Sequence, residues 1–533
     1  MKKISIFAAS KINPMSQLSV FLTKTRRFMV CVLLAGLFQG VFAQAPSPSG
    51  PVVGNFSREH YDKAVMADND REFVAYGSPI WVKLKKCTHS IITYDKEQQT
   101  VAKRDLTLSD NYKRLLAYDA GDTYFVTYSR YPKSTVFEYS VASIPKDCAA
   151  GYTVTPQTKL TFSIDHNGFV MEYTAESPDH TKHAVAFVYV NKKQKAENFY
   201  FLVYDKEGNE LLYKVLSPEI YGDSFSVEDL AVTNDGKALM LMRTGTKERQ
   251  SMHNTAVHIL CCGPEGGQSY VKPVTFGVIQ SMRLLVLKNG DYFVGGYYGE
   301  KSGEPTSGYF SCICRQDQED FDAPKHYAFP GNHQPKHEFM LAYMLKYFTK
   351  CAALHELANG EVVMLGEHRA MVISTGNGTT YYHYADDIVY QYFNKDGEMT
   401  HQQRVPKNQA KQFEQGANDI APTWFTYDKL GISFTSFVKG NAVYVLYQDS
   451  QANYNKHDKT PAQMTMGRGN TCTVLARLDS DGPERDMVML PGKAKRTLHN
   501  LWLFDGNKFY FGMASLKDYS IESRSLGELF QEE

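Results

Sequence analysis

Hydrophobic positions along this chain come in short runs that stop at a tight turn and then resume. The unit reads LAVTNDGKALMLM at 230–242, LLVLKNGDYFVGG at 284–296 and ALHELANGEVVMLG at 353–366. It returns as SFVKGNAVYVLY at 436–447 and LWLFDGNKFYFG at 501–512. Asn-Gly and Asp-Gly supply the positive φ angles of two-residue hairpin loops, so each unit predicts a β-hairpin. Seven turns of this kind are present: Gly121-Asp122, Asn167-Gly168, Asp235-Gly236, Asn289-Gly290, Asn359-Gly360, Gly440-Asn441 and Gly506-Asn507. A second kind of turn follows strands rich in Tyr or Phe, as in VYDKEGNELLYKV (203–215), QYFNKDGEMTHQQRV (391–405) and ARLDSDGPERDMVML (476–490). ITYDKEQQTVAKRDL (92–106) is a degenerate copy.

Alternation of the two turns gives four strands per unit. The clearest unit has strands at 282–288, 292–298, 309–315 and 326–329, and the next has strands at 351–357, 361–367, 388–394 and 399–405. A repeated hairpin cannot bury its apolar faces alone, so the repeats must stack. Four antiparallel strands repeated in series predict an all-β fold, a β-propeller. Runs such as VVML (362–365) and YVLY (444–447) are apolar at consecutive positions, which fits strands covered on both faces. The expectation is seven four-stranded blades, with six or eight as alternatives. A split blade closes the ring by joining the last hairpin, 501–512, to the strands at 91–108, which removes the exposed edges of an open array.

The N-terminal region changes the picture of where the chain works. Lys24, Arg26 and Arg27 precede the apolar run FMVCVLLAGLFQGVF, and Ala43-Gln44-Ala45 offers a small-residue cleavage site. The run is too short for a typical membrane span, and no second run of sufficient length follows. The expected organisation is a signal peptide at 1–43, a flexible leader at 44–78, the propeller at 79–526 and a C-terminal tail at 527–533. The protein is expected to be exported, periplasmic or extracellular, with no transmembrane anchor after cleavage. The whole chain has 58 basic and 58 acidic residues; the first 43 hold six basic and no acidic ones, leaving an acidic mature chain. That balance argues against nucleic acid as a partner.

Candidate chemistry is sparse. Eight of the nine cysteines lie beyond the signal segment, with spacings unlike a zinc ribbon. His326, His333 and His337 form the sharpest metal candidate, but Gly331 and Pro335 oppose the helix that would align them. Asp-rich turns at 205–208 and 479–482 lack the ligand pattern of a calcium loop. No cofactor is expected, with calcium or zinc as the alternatives. Three long connections, 244–254, 367–387 and 448–471, fall between the second and third strands of their units, on one rim. Loops on a rigid scaffold are where binding residues concentrate. The candidate contacts are His368, Arg369, His383, Asp386, Asp387, His457, Asp458 and Arg468, with Glu367 and Asp449 in the same loops. No nucleophile elbow or phosphate-binding glycine loop is present.

The outer Y/F-x-K-D/E-G turns and inner L-x-N-G-x-hydrophobic hairpins resemble uncharacterised exported propellers of Bacteroidota-type bacteria over about 81–520. The resemblance is one of repeat style and brings no catalytic residues. On these grounds the chain is expected to be a non-enzymatic binding or scaffold module of the cell envelope, recognising a protein or glycan partner through its loop-rich rim. The alternative is a propeller enzyme, of glycan hydrolase or lyase type, with a carboxylate/His site in the central funnel. Three or more convergent, buried titratable groups at the channel would favour the enzyme.

Overall fold

The computed structural model describes residues 52–530 apart from 55–58, 69–71, 80–87, 96–99, 109–111, 167, 192–195, 218–223, 249–250, 302–303, 316–321, 332–342, 375–379, 415–432, 455–463, 466–470, 490–496, 505–507 and 515–517. The chain separates into two units, Met1–Ser47 and Pro48–Glu533, and the described residues belong to the second. The signal-peptide segment 1–43 lies outside them.

The fold is an all-β propeller. Among the described residues the strands form eight sheets, mostly of four antiparallel strands in sequence order. The second sheet holds Lys113–Ala120, Thr123–Lys133, Val136–Pro145 and Gln157–Ser163. The third holds Phe169–Glu176, Lys182–Val190, Ala196–Asp205 and Glu210–Leu216. The fourth holds Ser224–Val232, Ala238–Glu248, Ser251–Gly263 and Gly266–Pro273, and the fifth Val278–Val286, Tyr292–Gly299, Gly308–Cys314 and Lys325–Ala328. The sixth is built on Tyr343–Glu356, Val362–Ser374, Thr380–Phe393 and Met399–Val405, and the seventh on Phe434–Lys439, Ala442–Ser450, Thr471–Asp479 and Gly482–Met489.

Two sheets lie where the repeat is least regular. The first contains Glu59–Asp68, Glu72–Pro79, Thr88–Asp95 and Thr100–Leu108, with Thr153–Val154 added in parallel. Segment 44–78, read from sequence as a leader, therefore carries strands. The eighth contains Thr497–Phe504, Lys508–Ala514 and Asp518–Ser525, and its fourth strand is Val52–Gly54. Closure does join the two ends of the repeat array, but through Val52–Gly54 paired with Asp518–Ser520. The strands at 91–108 stay in their own sheet, because they have their own partners at 59–79.

The first strand of each sheet is the inner one. Inner strands touch in sequence from the first sheet to the eighth, and Thr497–Phe504 then meets Glu59–Asp68, so the circuit closes. Apolar side chains fill the spaces between consecutive sheets. Ala186, Val188, Phe199 and Phe201 of the third face Val232, Met240, Met242 and Leu260 of the fourth. Val363, Leu365 and Tyr390 of the sixth face Val443, Val445 and Val474 of the seventh. Second strands are covered on both sides as a result, and every residue of Tyr292–Gly299 is buried. This is why consecutive apolar positions, rather than strict alternation, mark these strands.

Six of the seven Gly turns join the first and second strands of a sheet. The seventh does not: Gly168 lies between Gln157–Ser163 and Phe169–Glu176, in the connection from the second sheet to the third. The first hairpin of the third sheet uses Ser177–Lys182 instead. Its Ser177 N donates to Lys182 O at 2.9 Å and His180 N to Ser177 O at 2.9 Å. The fourth-sheet turn is closely similar, with Thr233 N to Lys237 O at 2.9 Å and Gly236 N to Thr233 O at 3.0 Å. His180 stands where Gly236 stands and takes φ 59°, against 87° at Gly236. A search for glycine passes over this copy, as it does over the first sheet, whose 69–71 link is Asn-Asp-Arg.

Candidate functional site

The three long connections do lie between second and third strands. Two are joined. Gln409–Glu414 lies beside the third strand of the sixth sheet, pairing antiparallel with Thr380–Ala385, and also pairs in parallel with Met464–Thr465 from the seventh-sheet insertion. His457, Asp458 and Arg468 lie outside the described residues. The other candidate residues fall at the base of this joined rim, inside the sheets.

His368, Arg369, His383 and Asp386 are buried, so their side chains are not offered to a surface partner. His368 Nδ1 sits 2.8 Å from Thr349 Oγ1, and its ring meets Phe329 edge-on. Burial pushes the His383 imidazole down to about 4, so it is neutral at physiological pH. Asp387 pairs with Arg404 at 2.7 Å and accepts from Lys407 N at 3.1 Å.

Arg369 belongs to a fully buried polar network that binds the sixth sheet to the seventh. Glu367 Oε2 accepts from Arg369 Nε at 2.7 Å and from Ser433 Oγ at 2.7 Å, and its Oε1 accepts from Lys407 Nζ at 2.6 Å. Lys407 also donates to Gln409 Oε1 at 2.9 Å and Ala385 O at 3.2 Å. Gln409 Nε2 reaches Gln448 O at 2.6 Å, and Ser433 N donates to Gln409 Oε1 at 2.7 Å. Burial would raise the Glu367 carboxyl, but Lys407 and Arg369 outweigh it and hold the group below the usual carboxylate range. Beside this network, Asp449 accepts from Ser450 N and Asn453 Nδ2, both at 2.7 Å, and burial pushes it up to about 6. These residues are structural ties beneath the rim.

A second charged group lies on the inner strands of the fourth, fifth and sixth sheets. Asp229 pairs with Arg283 of the next sheet at 2.8 Å and accepts from Leu284 N at 3.1 Å. Glu228, the bulged residue between Val227 and Asp229, pairs with Arg243 at 3.3 Å. Arg243 reaches across to Gln280 O at 3.1 Å. Burial raises the Asp229 carboxyl, with Arg283 opposing it, and Asp229 in turn raises Arg283. Lys350, on the sixth inner strand, is lowered by burial, and the charges of Glu228, Arg283 and Arg369 reach it. Over a third of the Arg283 side chain is exposed. The sequence reading missed this group: Glu228, Asp229 and Arg283 carry no motif, and only the order of inner strands brings them together.

His326 lies on the outer strand of the fifth sheet, stacked on Phe276 with centroids 4.5 Å apart. His333 and His337 are outside the described residues. Among the described residues no group of three His, Cys, Asp or Glu side chains could hold a metal ion. The seven described cysteines are free thiols, six of them buried. No described helix is long and apolar enough to cross a membrane.

No family model matches the chain, and no curated protein matches it. Solved structures do match. A polysaccharide lyase, Uly1, is 10% identical with a TM-score of 0.38, covering 88% of this chain and 90% of that one. A protein of unknown function from Bacteroides caccae is 12% identical with a TM-score of 0.26, covering 63% and 94%. The GH93 α-L-arabinofuranosidase of Fusarium graminearum, in complex with arabinobiose, is 10% identical with a TM-score of 0.29, covering 67% and 94%. Likeness of this size transfers no residue role to this chain.

Proposed function

We propose that this protein is a propeller enzyme acting on a glycan in its axial funnel, the reading set out above as the alternative to a scaffold. The observation that carries it is the placement of Glu228, Asp229, Arg283 and Lys350 on three consecutive, adjacent inner strands, with Asp229 and Arg283 paired across two of them. The unpaired edges of the inner strands border the axis, and Glu228, Asp229, Arg283 and Lys350 are only partly buried along them. Two carboxylates, a lysine whose proton is loosened by burial and a partly exposed guanidinium are groups able to serve as acid, base and anchor. The rim residues named from sequence support this reading in the negative, since four of them are buried.

The test is turnover of a panel of plant, algal and bacterial polysaccharides, followed by release of reducing ends and by absorbance of unsaturated products. Lys350→Met and Glu228→Gln are each expected to cut turnover at least a hundredfold while the far-UV circular dichroism stays unchanged. Equal turnover in the variants removes the funnel from consideration.

One observation favours the scaffold reading as a second. The rim insertions of the sixth and seventh sheets are joined where Gln409–Ala410 pairs in parallel with Met464–Thr465, which ties two loops into one element. A variant with 455–463 replaced by a short Gly/Ser turn would lose captured partners if that surface is used.

A further inference from the structure

The inner strands of the sixth and seventh sheets meet through a polar pair where neighbouring sheets meet through apolar side chains. Ser436 Oγ, on Phe434–Lys439, lies 2.8 Å from His355 Nε2, on Tyr343–Glu356. The closing bonds of the hairpins, Leu287 N to Asp291 O in the fifth sheet and Leu357 N to Glu361 O in the sixth, put Leu285 at the place of His355. Leu285 packs with Leu354 in the apolar cluster between the fifth and sixth sheets. In the fourth sheet the bond from Thr233 N to Lys237 O puts Ala231 at that place, buried in the cluster shared with the fifth. The repeat therefore holds an apolar residue here, and an imidazole facing a hydroxyl departs from it in a way that packing does not require.

The pair is fixed in place and is not sealed from water. Beside it the two hairpin turns are tied together, with Ala358 N donating to Gly440 O at 3.0 Å and Asn359 N to Asn441 Oδ1 at 2.8 Å. Those bonds set the two strands relative to each other before any ligand arrives. His355 and Ser436 are both half-buried, and the unpaired edges of their strands border the axis. Burial pushes the His355 imidazole down to about 4, so at neutral pH the ring is uncharged and can accept a proton.

We infer that Ser436 and His355 form a nucleophile–base pair that takes an acyl group from an ester. A serine hydroxyl is a weak nucleophile by itself and is activated by a base within hydrogen-bond reach. Ser436 Oγ bonds to the acyl carbon as its proton passes to His355 Nε2. The ester C–O bond then breaks and the leaving oxygen takes that proton from Nε2, giving acyl-Ser436 and a free alcohol. Water attacks the same carbon, its proton passes to Nε2 and on to the departing Ser436 Oγ, and the carboxylic acid is released. Alternate N–H groups on the unpaired strand edges point to the axis and are donors of the kind that hold a tetrahedral oxyanion. The pair spans the sixth and seventh sheets and uses none of Glu228, Asp229 and Arg283, so this activity stands apart from the glycan reading.

The experiment is incubation of the full chain with 4-nitrophenyl acetate, followed by release of 4-nitrophenolate and by mass spectrometry of the acetylated peptide. Acetylation is expected at Ser436, with a burst of 4-nitrophenolate stoichiometric with the protein. His355→Gln is expected to slow acetylation of Ser436 about a hundredfold, the low end of what a positioned base supplies. Ser436→Ala is expected to abolish the burst, with far-UV circular dichroism unchanged in both variants. If a variant fails to fold, the unaltered protein compared in its native state and in urea takes its place, with Ser436 acetylated about a hundredfold faster in the native state. No acetyl group on Ser436 of the native protein, or equal rates with and without His355, overturns the inference and leaves the pair as a tie between sheets. Acetyl-Ser436 formed by a chain that turns over no polysaccharide keeps the acyl transfer and discards the glycan reading. Polysaccharide turnover with Ser436 unlabelled does the reverse.

Discussion

Removing Glu367 should cost far more than removing Lys407, although the two share one ion pair. Glu367 has no exposed surface and answers two cations, Lys407 at 2.6 Å and Arg369 at 2.7 Å. Glu367→Leu leaves both without their carboxylate. Lys407 would then have only Gln409 Oε1 and Ala385 O, and breaking a buried pair in this way costs about 3–5 kcal/mol. Lys407→Met leaves Glu367 still held by Arg369 and Ser433, so a loss of about 1–3 kcal/mol is expected, that of a buried charged hydrogen bond. The double variant should be less damaged than the two single losses combined, with a coupling of about 1.5–3 kcal/mol. Urea unfolding followed by far-UV circular dichroism measures this, with an unchanged slope required for the comparison of midpoints. The pH dependence gives a second check. The folded-state pKa of Glu367 is depressed, so its contribution is present above the unfolded carboxylate value and is lost as pH falls through the folded one. The gap between wild type and Glu367→Leu should therefore narrow on acidification. Equal losses for the two single variants, or strict additivity in the double, would refute the claim that one carboxylate holds the sixth and seventh sheets together.

Three further outcomes are expected. His180→Gly should stabilise the protein by about 0.5–1 kcal/mol, because φ 59° is a left-handed conformation that glycine adopts without penalty; an unchanged or lower urea midpoint would count against it. Gly366→Ala should destabilise by about 1–3 kcal/mol, an overpacking cost, since a Cβ there would run into the phenol of Tyr297, whose Oη donates to Gln391 Oε1 at 2.7 Å; the urea midpoint reports it, and tolerance of alanine would refute the packing. Asp449 has a raised folded pKa of about 6, so between its unfolded value and 6 the native state holds more protons and stability falls as pH rises. Asp449→Asn, which keeps an acceptor for Ser450 and Asn453, should therefore raise the urea midpoint at pH 7.5 and change it little near pH 4; the same gain at both pH values would overturn the assignment.

Much of the fold was legible because turn chemistry and strand burial leave local marks. The strand limits of the fifth sheet follow from LLVLKNGDYFVGG and its neighbours, since Asn289-Gly290 fixes the hairpin and the second strand is apolar throughout. What failed to show were the places where the same geometry is met by other residues. His180 takes the glycine conformation, and Gly168 sits in a connector that reads like a hairpin. The closing strand is three residues long, Val52–Gly54, too short to carry a pattern. The degenerate copy at 92–106 looked like half a blade because its partners at 59–79 contain no Asn-Gly or Asp-Gly turn.

The candidate site was less legible for a different reason. A polar residue in a rim-facing loop and a polar residue at the base of a hairpin look alike in one dimension. Most of 367–387 belongs to Val362–Ser374 and Thr380–Phe393, whose pairing resumes after a register shift at Glu367/Arg369, so Arg369 pairs with Ala385 inside a sheet instead of standing at its edge. Hydrophobicity could not have warned of this, because Glu367, Arg369 and Lys407 satisfy one another in the interior. The axial group is hidden by distance along the chain: Asp229 and Arg283 are 54 residues apart, and neither stands in a motif that points to the other. Inner strands pack on neighbouring sheets through both faces, as Leu284 and Val286 do toward the fourth sheet and Leu285 and Leu287 toward the sixth, so a charge there finds its partner across sheets and not along the chain. The phase of the repeat, and not the length of its loops, is what brings Asp229 and Arg283 onto adjacent inner strands.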